Sequence, residues 1–351
     1  MALPSTGYAT ATVTNPGSAL TDFTLLVDLS DMPSSWWAEV DTTDGTKGRA
    51  AKDDETELAT DWIDFDDTAE TGWLRVKWSG TLASSGTPVL RIYPPVAANS
   101  SYAASDTYGS DNAYDPNWEG YWPDGGETDR TSNGNDGTAN GGVTIGGATG
   151  KVGDATDFDG SNDYISCADS ASLSVTGSIT LFCWLNIDSA PSSFYSLIRK
   201  RRVTSDSYQF LLNSSSQPQL FIDTGSPVNQ TGSALSTSTW EHCVGSWDSS
   251  NIRVYNNGSL SGGPTAQTGS MSDTTDTLNI GGTDDQSWTV DGRMDDVQLH
   301  STARSADWIS HEYDQSNDNA TFWGTWTWSA ASSADDGAIF QRIYRGVGIG
   351  V

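Results

Sequence analysis

Short segments in which apolar and polar residues alternate recur along most of this chain, and each ends at a cluster of glycine, aspartate, asparagine or serine. In residues 73–78, for example, Leu74, Val76 and Trp78 alternate with two charged side chains, which is the period of a half-buried strand. The pair Asn257-Gly258 directly follows another alternating run and predicts a tight hairpin. Segments of this length, each closed by turn-forming residues, restrict the chain to sheets of short strands.

The residue types between these segments also favour sheets over helices. The chain has 36 glycines in 351 residues, and only eight of its 46 acidic residues are glutamate, which prefers helices, whereas aspartate prefers turns. One segment, residues 302–315, has a helical pattern, with Ser305 placed as its N-cap. We therefore predict an all-β protein with one short helix late in the chain.

The length of the chain and two turn-rich stretches predict two β-sandwich domains. Residues 96–117 and 124–151 consist mainly of small and turn-forming residues, so a domain boundary is expected near them. We predict an N-terminal β-sandwich domain at residues 1–115, a second sandwich of the jelly-roll type at residues 116–315, and a C-terminal strand and docking arm at residues 316–351. This arm either adds a strand to one domain or docks on a partner.

The charge balance excludes two classes of partner. With 17 basic against 46 acidic residues, the formal net charge is -29, and such a chain is repelled by nucleic-acid phosphates and by anionic lipid headgroups. No apolar run is long enough to cross a bilayer, and residues 1–17 lack the pattern of a secretory leader. We expect no nucleic-acid binding and no membrane insertion, and release by lysis, by dedicated secretion or as part of a particle.

Three blocks of the second half resemble a known family. They read "GDATDFDGSNDYISCADSASLSVTGSITLFCWLNID", "WEHCVGSWDSSNIRVYNNG" and "LNIGGTDDQSWTVDGRMDDVQLHSTARSADWISHEYD". In this order they are similar to the laminin-G-like, concanavalin A-like lectin/glucanase jelly roll of bacterial surface and phage proteins. The first hundred residues are similar to a small β domain of unassigned role that often precedes such modules. The resemblance implies two sandwiches, the second a concanavalin A-like jelly roll.

Acidic loop residues of the jelly roll are candidate ligands for calcium, which takes about six to eight oxygens from aspartate, asparagine and backbone carbonyl groups. The resemblance implies that the first and last jelly-roll strands run side by side, which would bring some of these acids together. We predict a structural calcium ion; its candidate ligands are Asp159, Asn162, Asp163, Asp284, Asp295 and Asp296. The alternative is that these residues form Asx turns and a solvated rim.

Carbohydrate binding needs aromatic faces that stack on sugar rings, with planar polar groups beside them. Four aromatic residues in or near the loops and strands of the second domain are candidates for this role: Trp247, Trp288, Tyr208 and Tyr255. The chain has 15 tryptophans and 12 tyrosines, so a place in the core is the alternative for each of them. The only basic cluster, residues 199–202, is either a solvated hairpin or a contact with an acidic neighbouring subunit.

Catalysis has little support in the sequence. Glucanases of this fold class use two glutamates that flank an aspartate on one strand, and no Glu-x-Asp-x-x-Glu or Glu-x-Asp-x-Glu pattern is present. Asp64 and Asp66 alternate on a predicted strand and could form an atypical acid pair, although an exposed strand face is the better explanation in so acidic a protein. We therefore predict that the protein is not an enzyme and has no catalytic residue.

These observations together predict a surface-displayed structural or carbohydrate-binding protein. We expect a phage virion component, such as a capsid decoration, a head fibre or a tail-associated adhesin, located on the virion surface. Its expected partners are other virion proteins or identical subunits in a homo-oligomer, and cell-surface glycans. A secreted adhesin on a bacterial cell surface is the first alternative, and a glycan-cleaving enzyme with an atypical acid pair is the second.

Overall fold

The structure is a computed structural model that describes residues 3–331 except residues 5, 14, 16, 85 and 201–206. Its helices are α1 (Ser34–Trp37), α2 (Ala306–Asn317) and α3 (Asn319–Trp323). Its strands are β1 (Tyr8–Thr12), β2 (Leu20–Thr21), β3 (Thr24–Asp28), β4 (Arg49–Lys52), β5 (Glu57–Leu58), β6 (Thr60–Asp66), β7 (Thr71–Lys77), β8 (Thr81–Leu82), β9 (Val89–Tyr93), β10 (Trp118–Trp122), β11 (Gly137–Asn140), β12 (Thr144–Thr149), β13 (Asp154–Asp159), β14 (Tyr164–Cys167), β15 (Ile179–Ile187), β16 (Phe194–Lys200), β17 (Tyr208–Asn213), β18 (Pro218–Asp223), β19 (Pro227–Thr231), β20 (Glu241–Trp247), β21 (Asn251–Asn256), β22 (Ser259–Ala266), β23 (Leu278–Ile280), β24 (Asp291–His300) and β25 (Thr327–Ser329). The prediction of an all-β protein is confirmed.

Among the described helices, none has the length and apolar character needed to cross a bilayer.

The N-terminal sandwich consists of strands β1–β9 together with β25. A five-stranded sheet in the order β25-β1-β9-β4-β5 and a three-stranded sheet in the order β3-β7-β6 pack around one apolar core, beside the short pair β2-β8. Strand β25 is antiparallel to β1, so that Trp328 lies opposite Ala9. The predicted strand in the C-terminal arm is therefore present at Thr327–Ser329, after the short helix α3. Residues 332–351 of the arm lie outside the described residues.

The jelly roll consists of strands β10–β24 in two larger sheets that enclose a second core. The eight-stranded sheet has the order β12-β13-β24-β15-β20-β21-β22, with β10 also paired to β24. The seven-stranded sheet has the order β11-β14-β23-β16-β17-β18-β19. Alternation along β17 explains the core face, because Tyr208, Phe210 and Leu212 point inward. Strand β13 pairs with β24, as the resemblance implied for the first and last strands.

The turn-rich stretch 124–151 contains more structure than its composition predicts. Strands β11 and β12 lie within it, at the edges of the two jelly-roll sheets. Both are largely exposed, and a glycine-rich edge strand has too few apolar residues to show an alternating pattern. The Asn257-Gly258 hairpin, in contrast, is present as predicted: both residues have positive φ, 48° and 72°, between paired strands β21 and β22.

The N-terminal sandwich and the last helices cover the outer face of the eight-stranded sheet. Phe182, Val244 and Tyr255 point outward from this sheet and pack in the N-terminal core beside Trp308 and Ile309 of α2. Helix α2 begins at its predicted N-cap, since Ser305 Oγ accepts a hydrogen bond from the Trp308 amide. It continues past the boundary predicted at residue 315, and bonds from its last turn reach β3.

A buried ionic network completes this contact between the two sandwiches. Arg75 on β7 is fully buried and donates to Glu312 of α2 at 2.6 Å and to Asp296 of β24 at 2.9 Å. Its Nε also donates to the hydroxyl of Tyr121 at 3.2 Å. One guanidinium therefore ties a strand of each sandwich to the helix that follows the jelly roll.

Candidate functional site

A row of side chains crosses the whole outer face of the seven-stranded sheet. Cross-strand register places these residues side by side, one from each strand: Thr138, Ser166, Asn279, Arg199, Gln209, Phe221 and Asn229. Their neighbours along the strands, such as Ile165, Ile280 and Phe210, point into the jelly-roll core. The side chains of this row, called here the polar row, therefore face away from the core.

Burial along the polar row describes a shallow groove. Asn279 and Gln209 near the middle of the sheet are only 5% and 4% exposed, whereas Thr138 and Asn229 on the edge strands are exposed. Arg199 and Phe221 are half-buried. The floor of the groove thus carries two amides and one guanidinium, which are planar groups that donate hydrogen bonds, and the amides also accept them.

An aromatic residue stands beside this groove. The loop before β24 places Trp288 against Phe194, with ring centroids 5.1 Å apart, and the guanidinium of Arg199 lies 5.1 Å from its ring centre. The carbonyl of Trp288 accepts a hydrogen bond from the amide of Ser196 at 2.7 Å. Trp288 is half-buried, so part of its ring remains open to solvent next to the polar row.

The other three aromatic candidates lie in the protein interior. Trp247 and Tyr208 are fully buried, and they donate hydrogen bonds to the carbonyls of Gln267 and Leu173. Tyr255 is 5% exposed and packs in the core shared with the N-terminal sandwich. Their ring faces are covered by protein, so none of the three can stack on a sugar, and the core alternative describes them correctly.

The first group of predicted calcium ligands forms a local turn. Asp163 Oδ2 accepts from the Asp159 amide at 3.0 Å, and Asp159 Oδ1 accepts from the Ser161 amide at 2.8 Å. Asn162 donates to the carbonyl of Gly141. The second oxygen of Asp163 is buried without a hydrogen-bond partner among the described residues, and burial raises the pKa of this carboxyl. These contacts are those of an Asx turn.

The second group lies elsewhere on the molecule. Asp159 is opposite Asp291 on β24, so Asp295 is four strand residues away, or about 13 Å at ~3.3 Å per residue. Asp295 accepts from three backbone amides, those of Lys151, Val152 and Asp296, and Asp296 pairs with Arg75.

Asp284 is an exposed loop residue. Across the described part of the chain, no three or more histidine, cysteine, aspartate or glutamate side chains are grouped to hold a metal ion. The candidate calcium ligands that were expected to lie close together are therefore far apart in the structure. A structural calcium ion stays a prediction from the sequence.

The candidate acid pair of the N-terminal sandwich does not share a strand face. The register of β6 shifts between Ile63 and Asp66, and Asp64 has a φ of 50°, so simple alternation is interrupted there. Asp66 accepts hydrogen bonds from the amides of Thr68 and Ala69 and closes a turn.

Asp296 of the jelly roll has a shifted pKa but is not a catalytic acid. Burial raises the pKa of Asp296 to about 6, although the positive charge of Arg75 opposes this shift. Its carboxyl is fully buried and out of reach of a substrate.

Sequence reasoning missed most of the polar row. Gln209, Asn279 and Phe221 are the outward positions of segments that were recognised as strands, so the alternating pattern identified their face but gave them no role. Arg199 belonged to the basic cluster 199–202, whose Lys200 is instead buried and paired with Asp169 at 2.5 Å. Arg201 and Arg202 lie outside the described residues.

Comparisons with solved structures returned matches of low sequence identity. The binding domain of Paraclostridial Mosquitocidal Protein 1 is 13% identical with a TM-score of 0.48, and the match covers 59% of this chain and 55% of that chain. The ligand-binding domain of Botulinum neurotoxin serotype D, solved with N-acetylneuraminic acid, is 12% identical with a TM-score of 0.44 and coverages of 53% and 47%. Domain 4 of an extracellular arabinanase from Geobacillus stearothermophilus, solved with arabinotriose, is 16% identical with a TM-score of 0.45 and coverages of 55% and 97%.

This chain thus spans about half the length of the two toxin chains. A comparison with curated proteins gave no match. The sequence does match one family model, described as the concanavalin A-like lectin/glucanases superfamily, over residues 159–310. This segment includes β14–β23 and most of the sheet that carries the polar row. The family match therefore makes residues 159–310, somewhat less than half of the chain, similar to the concanavalin A-like lectin/glucanases superfamily.

Proposed function

We propose that this protein is a non-enzymatic carbohydrate-binding protein, and that its jelly roll holds a glycan along the polar row. The observation that carries this proposal is the row across all seven strands of one sheet, in which four of the seven side chains are planar polar groups: Asn279, Arg199, Gln209 and Asn229. Neighbouring hydroxyl groups of a sugar match the donor and acceptor pair of an amide and the paired donors of a guanidinium group. The half-buried ring of Trp288 offers an apolar face for the C–H groups of the same sugar.

The electrostatics of the row favour a neutral or acidic glycan over a basic ligand. Arg199 brings one positive charge to the floor of the groove, and the amides of Gln209 and Asn279 are uncharged. Both amides are nearly buried, so an amide atom that has no hydrogen-bond partner costs more there than on an open surface; Asn279 Oδ1 already accepts from the hydroxyl of Thr277 at 3.3 Å. A sugar that supplies partners for both groups therefore binds better than one that supplies a partner for one of them.

Three observations support binding without catalysis. The glutamate pattern of this fold class is absent from the sequence, the Asp64 and Asp66 pair is interrupted by a register shift, and the polar row contains no carboxylate. Hydrolysis of a glycosidic bond needs a proton donor and a second carboxylate or an equivalent group close to it. The glycan-cleaving alternative is tested by incubation with polysaccharides, and release of reducing sugar would support it.

We also propose that the protein is displayed on a phage particle, and its alternative location is a bacterial cell surface. The acidic character of the whole chain and a lectin-like fold support a displayed surface module. Mass spectrometry of purified particles tests this setting, and absence of the protein from virions contradicts it. Self-association into a homo-oligomer, also proposed, is tested by light scattering of the purified protein.

The binding proposal is tested by a glycan array followed by titration of the best glycan. We expect Gln209→Ala to weaken binding about tenfold, which is ~1.4 kcal/mol. The matched control is Gln217→Ala, because this glutamine lies in the turn between β17 and β18, outside the polar row. Equal affinities of the two variants, or no glycan bound by the parent protein, would contradict the proposal.

A further inference from the structure

A cavity lies on the N-terminal sandwich, outside the family-matched segment. It has a volume of about 170 Å³. Strand β6 supplies Thr60 and Trp62 to its wall, the connector that follows β9 supplies Tyr102, Tyr108 and Ser110, and the stretch after β10 supplies Arg130. Three segments that are distant in sequence therefore meet around one space.

The connector is fixed against β6 by specific contacts. The amide of Thr60 donates to the carbonyl of Tyr108 at 3.2 Å. Gly109 allows the connector to fold back on itself, since a Cβ there would lie 2.1 Å from the carbonyl oxygen of Ala103. Asp106 accepts from the amide of Ala103 at 2.8 Å and closes the turn. This wall of the cavity is thus a folded loop whose residues hold a defined position.

The charged groups of the wall are paired with one another. Asp61 accepts from the hydroxyl of Tyr114 at 2.6 Å and from Nε and Nη2 of Arg130, while Nη2 of Arg130 also donates to the carbonyl of Trp62. On the other side, Arg49 pairs with Glu57 at 3.4 Å. The positive and negative charges around the cavity therefore balance, and an ion gains little by entering it.

Several polar groups of the wall have no protein partner. Among the described residues, none is hydrogen-bonded to the hydroxyls of Thr60, Tyr108 or Ser110, and none accepts from Nη1 of Arg130. The indole N–H of Trp62, a residue that is 8% exposed, is also buried without an acceptor. Tyr108, Ser110 and Arg130 are half-buried, so a ligand in the cavity can replace the water that otherwise binds their polar groups.

Aromatic rings form the apolar part of the same wall. Tyr102 and Tyr108 have ring centroids 5.8 Å apart, and the guanidinium of Arg49 lies 4.0 Å from the centre of the Tyr102 ring. Trp62 adds a third ring. The cavity is smaller than the roughly 300–1,000 Å³ of pockets for drug-sized ligands, so it admits one ring-sized molecule and not a chain of them.

We propose that this cavity binds a single uncharged sugar ring, such as a pyranose, through its aromatic rings, its three hydroxyls and the free edge of Arg130. The site is independent of the polar row and gives the chain a second, smaller carbohydrate contact. A neutral polyol is the ligand class that uses both the unpartnered hydrogen-bonding groups and the aromatic faces without requiring a net charge.

The test uses the full chain and named monosaccharides: glucose, galactose and N-acetylglucosamine, with glucuronic acid as the charged comparison. Binding is measured by saturation-transfer NMR and by titration of tryptophan fluorescence. We expect at least one neutral sugar to bind, Ala104→Trp to abolish binding by filling the cavity that this residue lines, and Tyr108→Ala to weaken it about tenfold through loss of an aromatic face. The matched control is Ala103→Trp, since Ala103 is exposed and outside the cavity wall.

Melting curves of every variant show whether it is folded, and if Ala104→Trp does not fold, Tyr108→Ala decides. Absence of binding by all neutral sugars overturns the proposal, and so does binding that survives Ala104→Trp. Tighter binding of glucuronic acid than of any neutral sugar overturns the assignment of an uncharged ligand. Loss of monosaccharide binding in Gln209→Ala but not in Tyr108→Ala assigns the signal to the polar row and also overturns it.

Discussion

The two outer faces of the jelly roll differ in their environment although both belong to one sandwich: one is covered by other parts of the chain and the other is not. The face of the eight-stranded sheet carries apolar side chains such as Phe182 and Val244 and is covered by the N-terminal sandwich and α2. The face of the seven-stranded sheet carries the polar row and keeps exposed residues at both edges. The difference teaches that the outer face of one sheet is used for packing within the chain, whereas the outer face of the other is the one on which we propose that a glycan binds.

Paired tryptophan substitutions probe this contrast most strongly. Trp184 is fully buried on the covered face and donates to Ser316 Oγ at 3.0 Å, so we expect Trp184→Ala to lower the free energy of unfolding by about 3–5 kcal/mol. Trp288→Ala on the other face is expected to cost about 1 kcal/mol or less and to weaken glycan binding instead. Urea denaturation measures both; similar losses of stability would remove the contrast.

Breaking the ionic network at the covered face is the next largest expected effect. Arg75→Leu leaves the carboxylates of Asp296 and Glu312 buried without a cation, and we expect a loss of about 3 kcal/mol in the free energy of unfolding. Arg253→Leu is the control, because its pair with Asp248 is partly exposed and is worth about 1 kcal/mol or less. Chemical denaturation of both variants decides, and equal losses would mean that the network is hydrated.

A pH titration of stability tests how dry the covered face is. His242 lies among the rings of Phe182, Trp184 and Tyr313, and burial lowers its pKa to about 3. The unfolded chain takes up this proton near pH 6.5. Stability from the neutral imidazole is therefore present above pH 6.5 and is lost as the pH falls toward 3, with a slope of about 1.4 kcal/mol per pH unit.

His242→Leu isolates this contribution from that of the carboxylates, which titrate in the same range. We expect the difference in unfolding free energy between the parent protein and the variant to change steadily between pH 6 and pH 4, as measured by urea denaturation at each pH. A difference that does not depend on pH would show that water reaches His242 and that the face is not dry.

Chelation is expected to have the smallest effect. Asp295 and Asp296 already accept hydrogen bonds from backbone amides and from Arg75, on the covered side of the molecule. We therefore expect any fall in melting temperature on addition of EDTA to be small and to come from an ion at the turn of Asp159 and Asp163. A fall that Asp163→Asn abolishes would support the predicted calcium ion there, and an unchanged melting temperature would count against it.

Local patterns in the sequence predicted those elements of the fold that are determined by interactions between residues close in sequence. The strands with alternating residues, the Asn257-Gly258 hairpin and the N-cap at Ser305 all follow from contacts within a few residues. The structure of the turn-rich stretches 96–117 and 124–151 could not be predicted in this way, because it depends on residues that are distant in sequence. Arg130, for example, pairs with Asp61, 69 residues away. A pattern of turn residues carries no trace of such a contact.

The candidate sites show the same limit. Trp247, Tyr208 and Tyr255 have the residue type of a sugar-stacking group, but only tertiary packing decides whether a ring faces the core or solvent. The register of seven strands brings Asn279, Arg199 and Gln209 together. Cross-strand register depends on strand order, which the sequence of one strand does not contain.

The pairing of β25 with β1 has a consequence for how the chain is made. The five-stranded sheet of the N-terminal sandwich receives its edge strand from Thr327–Ser329, and Trp323 fills its core and bonds to Leu26. A ribosome releases these residues only after the entire jelly roll. The half of the protein that is synthesised first is therefore completed last, and the nascent N-terminal segment must stay soluble until the jelly roll has folded beside it.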